Sequence, residues 1–182
     1  KKKAKKLITG NPNNIKTEVG PLIRTNEVNR VKNWVDEARK NGANIVLGGE
    51  KLTETTYKPT IISNIKESDK ISNFEIFGPV VSIHKYEDIN DAISIVNKSR
   101  FSFHSSIFSN KIKVILNFFE KINASAVFHN DHTAFRVDWM PFSGLKESGH
   151  GVGGIKYTMN EMQIDKMLIL RKDWNESFWF IY

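Results

Sequence analysis

The sequence has no cysteine among its 182 residues. That absence excludes disulfides, thiolate zinc sites, iron–sulfur clusters and any thiol nucleophile supplied by this chain. Long hydrophobic runs are also missing: no stretch approaches the roughly 18 apolar residues of a membrane span, and no signal peptide follows the opening lysines. A chain located in the cytoplasm, with no membrane partner, is therefore expected. No internal repeat and no low-complexity segment is present. What remains is an ordinary globular composition, 40% hydrophobic and 26% charged, with enough apolar side chains for a core and a length suited to one domain or a little more. The net charge of +7 suggests nucleic acid at first sight. Five of the positive charges, however, are Lys1, Lys2, Lys3, Lys5 and Lys6, so the rest of the chain carries only +2. This is the pattern of a charged helix face rather than of a nucleic-acid surface. The first residue is Lys rather than Met, and a longer gene product is expected.

Along the chain, residues 11–24 carry Asn, Pro and Gly without periodicity and read as a loop. Val28, Val31, Trp34, Val35 and Ala38 recur at helical spacing, with Thr25 or Asn26 available as a cap and Gly42 as a left-handed stop. Ile45 to Leu47 reads as a strand ended by Gly48 and Gly49. Tyr57 to Ile62 reads as another, whose Pro59 predicts an edge position. From Val80 onward the pattern is strand (80–86), helix capped by Asn90 with Ala92, Ile93 and Val96 on its apolar face, strand (103–108), helix (111–122) and strand (124–129). Such β-α-β-α-β alternation predicts parallel strands with helical crossovers. Ligands of open parallel sheets bind beyond the carboxyl ends of the strands, which directs attention to residues 130–144. A short helix is expected within 151–162 and a strand at 166–171. The end, 173–182, concentrates Trp174, Phe178, Trp179, Phe180 and Tyr182 and reads as a docking segment.

The five histidines, His84, His104, His129, His132 and His150, form no paired-ligand pattern, so no metal site is expected. His84 and His104 fall in predicted strands and read as packed or surface residues. Neither a nucleophile elbow nor a P-loop is present. The SGHGVGG stretch lacks the preceding strand and following helix of a dinucleotide fingerprint, so its expected role is turning the backbone.

Two segments stand out. In NFEIFGPVV (73–81) a carboxylate, Glu75, and an aromatic, Phe77, lie two residues apart ahead of a Gly-Pro turn. In NDHTAFRVDWMPFSGLKESGHG (130–151), Arg136 lies among Phe135, Trp139 and Phe142. A guanidinium among aromatics suits a carboxylate, phosphonate or sulfonate, because its planar fork makes two charge-assisted bonds at once. The alternative is an Arg paired with Asp131 or Asp138 to hold the loop.

GNPNNIKTEVGPLI (10–23), GANIVLGGE after the helix, EIFGPVVSIHKYEDINDAISIVN (75–97) and MPFSGLKESGHG (140–151) occur in the order and spacing of aldehyde dehydrogenases. Over residues 7–171 the chain resembles the carboxy-terminal part of that superfamily. Its NDHTAFRVDWMPF stretch resembles members acting on small anionic aldehydes, such as the phosphonoacetaldehyde and lactaldehyde dehydrogenase groups. The resemblance implies an α/β fold: a three-layer parallel-sheet catalytic subdomain over 7–165, then an oligomerisation strand and aromatic tail over 166–182. It also implies NAD or NADP as cofactor. Glu75 would bond the nicotinamide ribose and Phe77 would lie beside the nicotinamide. Phe142 would form a wall of the substrate tunnel; Asp131, Thr133 and Phe135 would shape substrate choice; and Arg136 would receive the anion. No catalytic residue is assigned, because the family's cysteine nucleophile, its glutamate base and the dinucleotide domain lie outside the matched segment. Expected partners are a small aldehyde and either a second subunit or the half of the enzyme that bears the nucleophile, with inactivity of this chain alone. A non-catalytic module that associates with dehydrogenase subunits is the alternative. The sequence departs from the family pattern at Ser143, where Gly is usual, and at Val152-Gly153, where Arg-Glu is usual.

Overall fold

The computed structural model describes residues 1–170, which form two compact units, Lys1–Arg100 and the residues from Phe101 onward. In the first unit the lysine run forms helix α1 (Lys2–Lys6), and α2 (Thr25–Lys40) is the central helix. Val28, Val31, Val35 and Ala38 of α2 are fully buried, because steps of three and four residues bring them onto one stripe. The cap differs from expectation. Arg24 takes the N-cap position with no side-chain bond, and Thr25 is already helical. Gly42, at φ +102°, supplies the left-handed stop.

Strands β1 (Asn44–Leu47), β2 (Thr60–Ser63) and, after the short helix α3 (Lys70–Asn73), β3 (Val80–Ile83) form one sheet in the order β1-β2-β3. β1 runs antiparallel to β2, and β2 runs parallel to β3. The segment containing Pro59 is therefore the central strand rather than an edge. Pro59 lies one residue ahead of it, where its lack of an N–H removes nothing from the ladder. Tyr57, Ile62, Ile65 and Ile71 pack with the α2 valines to form the core. Asp69 is buried and accepts from the Lys66 backbone N–H at 3.1 Å and from the Asn41 amide, which ties the entry to α3 to the end of α2. Helix α4 (Ile89–Lys98) closes the unit. Its cap is Asp88, whose carboxylate accepts from the Asn90 backbone N–H at 2.7 Å; Asn90 itself is inside the helix.

In the second unit, β4 (Phe101–Ser102) pairs antiparallel with β7 (Leu145–Lys146), and β5 (His104–Ile107) pairs parallel with β6 (Ala126–His129) across helix α5 (Ile112–Lys121). The expected alternation from residue 80 to 129 is present element by element, but β3 pairs with β2, and the parallel pair β5-β6 forms a separate sheet. The short helix expected within 151–162 is α6 (Ile155–Glu161), which follows Gly154, so the glycine-rich stretch, expected only to turn the backbone and to lack a following helix, does lead into one. Residues 166–170 form no strand, and Arg171 and the aromatic tail lie outside the described residues.

The expected apolar helix faces are only partly covered. Of the α4 face only Ile93 is buried, and α5 buries none of its residues. Ile112, Leu116 and Phe119 are 63%, 52% and 62% exposed.

Candidate functional site

The carboxyl ends of the parallel pair β5-β6 lead directly into the loop singled out by sequence. The chain leaves β6 through Asn130, whose left-handed backbone (φ 53°) turns it across the strand ends. The Asn130 N–H donates to the Ile107 carbonyl at 2.9 Å, and its side-chain oxygen accepts from the Ser109 N–H at 2.9 Å. His129 Nε2 lies 2.7 Å from the Ser109 carbonyl. A carbonyl can only accept, so that nitrogen carries the proton. Both strand ends are thereby held together where the loop begins.

The loop is fastened at several points. The Asp131 carbonyl accepts from Ser106 Oγ of β5, and the Asp131 carboxylate accepts from the His132 N–H at 2.8 Å. His132 Nδ1 accepts from the Ala134 N–H at 3.1 Å. His104 Nδ1 lies 3.2 Å from the Thr133 carbonyl. Further on, Phe142 and Gly153 exchange two backbone hydrogen bonds of 3.0 and 2.7 Å. A Cβ at position 153 would approach the Phe142 carbonyl to 3.2 Å.

These anchors gather an aromatic cluster. Phe103 and His104 stack at 3.8 Å between centroids, Phe142 meets Phe103 edge-on at 5.0 Å and His104 at 6.1 Å, and Phe128 meets His104 at 5.3 Å. The Arg136 guanidinium carbon lies 4.6 Å from the centre of the Phe142 ring, within cation–π range. Among the described residues no carboxylate lies within ion-pairing distance of Arg136, so neither Asp131 nor Asp138 neutralises it. Its side chain is exposed. The result is a flat cation set on an aromatic face with its donors open to an incoming anion. Phe135 is 51% exposed and makes no ring contact among the described residues. The structure thus brings Arg136, Phe142 and Thr133 together, assigns Asp131 to fastening the loop, and leaves Phe135 outside the cluster.

His104 joins this cluster although its sequence marked it only as a packed or surface strand residue. Alternation within FSFHSSIF marks it as a strand residue, but its partners Phe142 and Thr133 are distant in sequence and no local pattern points to them.

Glu75 and Phe77 belong to the first unit. Phe77 has a positive φ of 41° and is 73% exposed. That conformation is held from both sides. Arg30 Nη2 donates to the Ile76 carbonyl at 2.7 Å, and Gly78 lies so close to Val31 that a Cβ would meet its methyl at 2.9 Å. Glu75 is exposed, and among the described residues its carboxylate has no hydrogen-bond or ion-pair partner. Both side chains are therefore open to solvent. Among the described residues no group of His, Asp and Glu could hold a metal ion, and no helix is long and apolar enough to cross a membrane.

The α/β scaffold thus sets an exposed guanidinium over an aromatic ring where a parallel strand pair ends. The aldehyde dehydrogenase family matches residues 1–168, and the chain belongs to that family. Over 170 residues it is 39% identical to the 3-sulfolactaldehyde dehydrogenase of Priestia aryabhattai, covering 93% of this chain and 35% of the relative. It is 36% identical over 166 residues to the lactaldehyde dehydrogenase of Methanococcus maripaludis, covering 91% and 35%. Among solved structures it superimposes on aldehyde dehydrogenase 21 from Physcomitrella patens, in complex with the reaction product succinate, with a TM-score of 0.89 and 34% identity over 93% of this chain and 35% of that one. It superimposes on the glyceraldehyde-3-phosphate dehydrogenase of Methanocaldococcus jannaschii, complexed with NADP, with a TM-score of 0.83 and 38% identity over 88% and 35%. The chain therefore spans about a third of the length of the relatives it matches. The family cofactor is NAD or NADP.

Proposed function

We propose that this chain supplies the substrate-loop and nicotinamide-contacting part of an NAD(P)-dependent aldehyde dehydrogenase that oxidises a small anionic aldehyde to a carboxylic acid. The observation that carries the reading is Arg136, unpaired with any carboxylate among the described residues and set 4.6 Å over the Phe142 ring. A guanidinium so placed binds a carboxylate, phosphonate or sulfonate through two parallel N–H donors. The names of the relatives agree, since sulfolactaldehyde and succinate both carry a negative group. Asp131 and Thr133 shape the loop through their backbone carbonyls, Phe135 is free to contact the rest of the substrate, and Phe142 forms one wall. The bound nicotinamide would accept hydride from the substrate. Glu75 would hold its ribose and Phe77 would cover the ring. With no cysteine, the chain has no thiolate to attack an aldehyde, and the nucleophile comes from another portion of the enzyme.

Titration of the chain with 2-hydroxyethanesulfonate tests the anion site. Arg136→Ala should weaken binding about tenfold or more, the scale of a lost charge-assisted hydrogen bond. Arg136→Lys should retain only part of it, because a point charge lacks the fork. In a complete enzyme containing this segment, Arg136→Ala should raise the apparent KM for anionic aldehydes far more than for neutral ones. Equal effects on both classes would refute the anionic-substrate reading.

A second reading, an interaction module that joins dehydrogenase subunits, draws support from residues 164–170. There Ile164, Met167, Leu168, Ile169 and Leu170 are 77–94% exposed and have no strand partner among the described residues. Light scattering on the chain before and after mixing with a full-length subunit distinguishes the two. A stable monomer in both cases counts against association.

A further inference from the structure

His104 lies on β5, ahead of the substrate loop in sequence, yet it touches the loop on both sides of Arg136. Its Nδ1 lies 3.2 Å from the Thr133 carbonyl, and its ring meets the edge of Phe142 at a centroid distance of 6.1 Å and an interplanar angle of 89°. Phe142 in turn lies beneath the Arg136 guanidinium at 4.6 Å. One imidazole therefore pins the backbone on the amino side of Arg136 and buttresses the ring on which Arg136 lies. The imidazole itself is held between Phe103, stacked at 3.8 Å, and Phe128 at 5.3 Å. Since a carbonyl has no proton to give, the contact with Thr133 requires the proton on Nδ1.

We propose that His104 is the positioning residue for the anion receiver: its Nδ1–H bond to the Thr133 carbonyl fixes the loop so that the Arg136 guanidinium remains over Phe142 with its fork open. The proposal rests on the reading of Arg136 as anion receiver and adds the residue that orders it. His104 does not touch the substrate. An arginine side chain has many rotamers to lose on binding, so a loop that pre-places it spares much of that loss. An untethered loop would lower affinity without altering the charge at the site.

The test is the same titration of the full chain with 2-hydroxyethanesulfonate, applied to three substitutions at this position. His104→Phe keeps an aromatic ring but loses the donor. His104→Asn places an amide N–H at the same remove from Cβ as Nδ1 but loses the ring. His104→Ala loses both. Binding should weaken about fivefold or more in His104→Phe and His104→Ala, and stay within about threefold of the parent in His104→Asn; rescue by Asn is an outcome that simple packing would not produce. Wild-type affinity in His104→Phe, alongside lost affinity in Arg136→Ala, would overturn the positioning role and leave the anion reading standing. Unchanged affinity in Arg136→Ala would overturn the anion reading itself. A measurement on the unaltered chain covers variants that fail to fold. Nitrogen-15 shifts of the His104 ring should report the Nδ1-protonated tautomer, and the Nε2-protonated tautomer would overturn the proposal.

Discussion

Tyr57 shows at the scale of a single residue how burial sets both stability and its pH dependence. Its side chain is fully buried in the α2 core, and its hydroxyl has no hydrogen-bond partner among the described residues. Burial pushes its phenol up to about 12 from the ordinary 10.0, and the neighbouring Asp36 carboxylate adds to the effect. Two outcomes follow. Replacing Tyr57 with Phe removes an unsatisfied polar group and keeps the ring, so urea unfolding near neutral pH should show a gain of about 1 kcal/mol. Because the folded phenol holds its proton more tightly than the unfolded one, the linked stability is fully present below pH 10.0 and is lost as pH rises through about 12. Unfolding measured across that window should be steeper in pH for the parent than for Tyr57→Phe. Coincident curves would show that the hydroxyl finds a partner in solution.

At the scale of elements, turn geometry imposes demands that periodicity does not reveal. Gly48 follows β1 with φ +70°, and a Cβ there would lie 2.4 Å from the Pro59 carbonyl oxygen. Gly48→Ala therefore combines a left-handed backbone with a backbone clash and should cost at least about 2 kcal/mol. Gly20→Ala, with nothing within 4 Å of the added carbon, should be close to neutral. Asp88→Ala should cost about 1 kcal/mol by freeing the first turn of α4. Equal midpoints for the two glycine variants in denaturant unfolding would contradict the first comparison. These cases also show what was legible beforehand. Helix α2 could be read because Val28, Val31, Val35 and Ala38 repeat at its period, and the strands at 80–86, 103–108 and 124–129 could be read from their alternation with amphipathic helices. Partnership could not. Nothing local tells β3 to pair with β2, and Pro59 signalled an edge because its single-residue offset from β2 is invisible without the ladder. Asn90 and Asp88 are both competent caps, and the backbone decides between them. In the site, Arg136 and Phe142 were legible because the aromatic-rich loop keeps them close in sequence, whereas His104 enters through tertiary contact alone.

For the whole molecule, the uncovered apolar faces and the missing thiol point to the same arrangement. Val81 and Ile83 on β3, Ile95 and Val96 on α4, and Ile112, Leu116 and Phe119 on α5 are all 49–63% exposed, although the amphipathic pattern of each element is one that ordinarily faces a core. Side chains so patterned and so exposed mark surfaces built for a partner; on the proposed function the remainder of the enzyme would cover them, since the chain spans about a third of the length of its relatives. The purified chain should therefore bind a hydrophobic dye such as ANS and produce no NADH with any aldehyde, since it has no cysteine to form the thioester. A complementary chain, made by deleting from the Priestia aryabhattai 3-sulfolactaldehyde dehydrogenase the segment this chain matches, supplies the thiol. Mixing the two should lower dye binding and restore NADH production together, because the surfaces that attract dye are those that would seat the catalytic half. NADH production by the chain alone would refute the need for an external nucleophile. Dye binding that persists after activity returns would show that those faces lie outside the assembly interface.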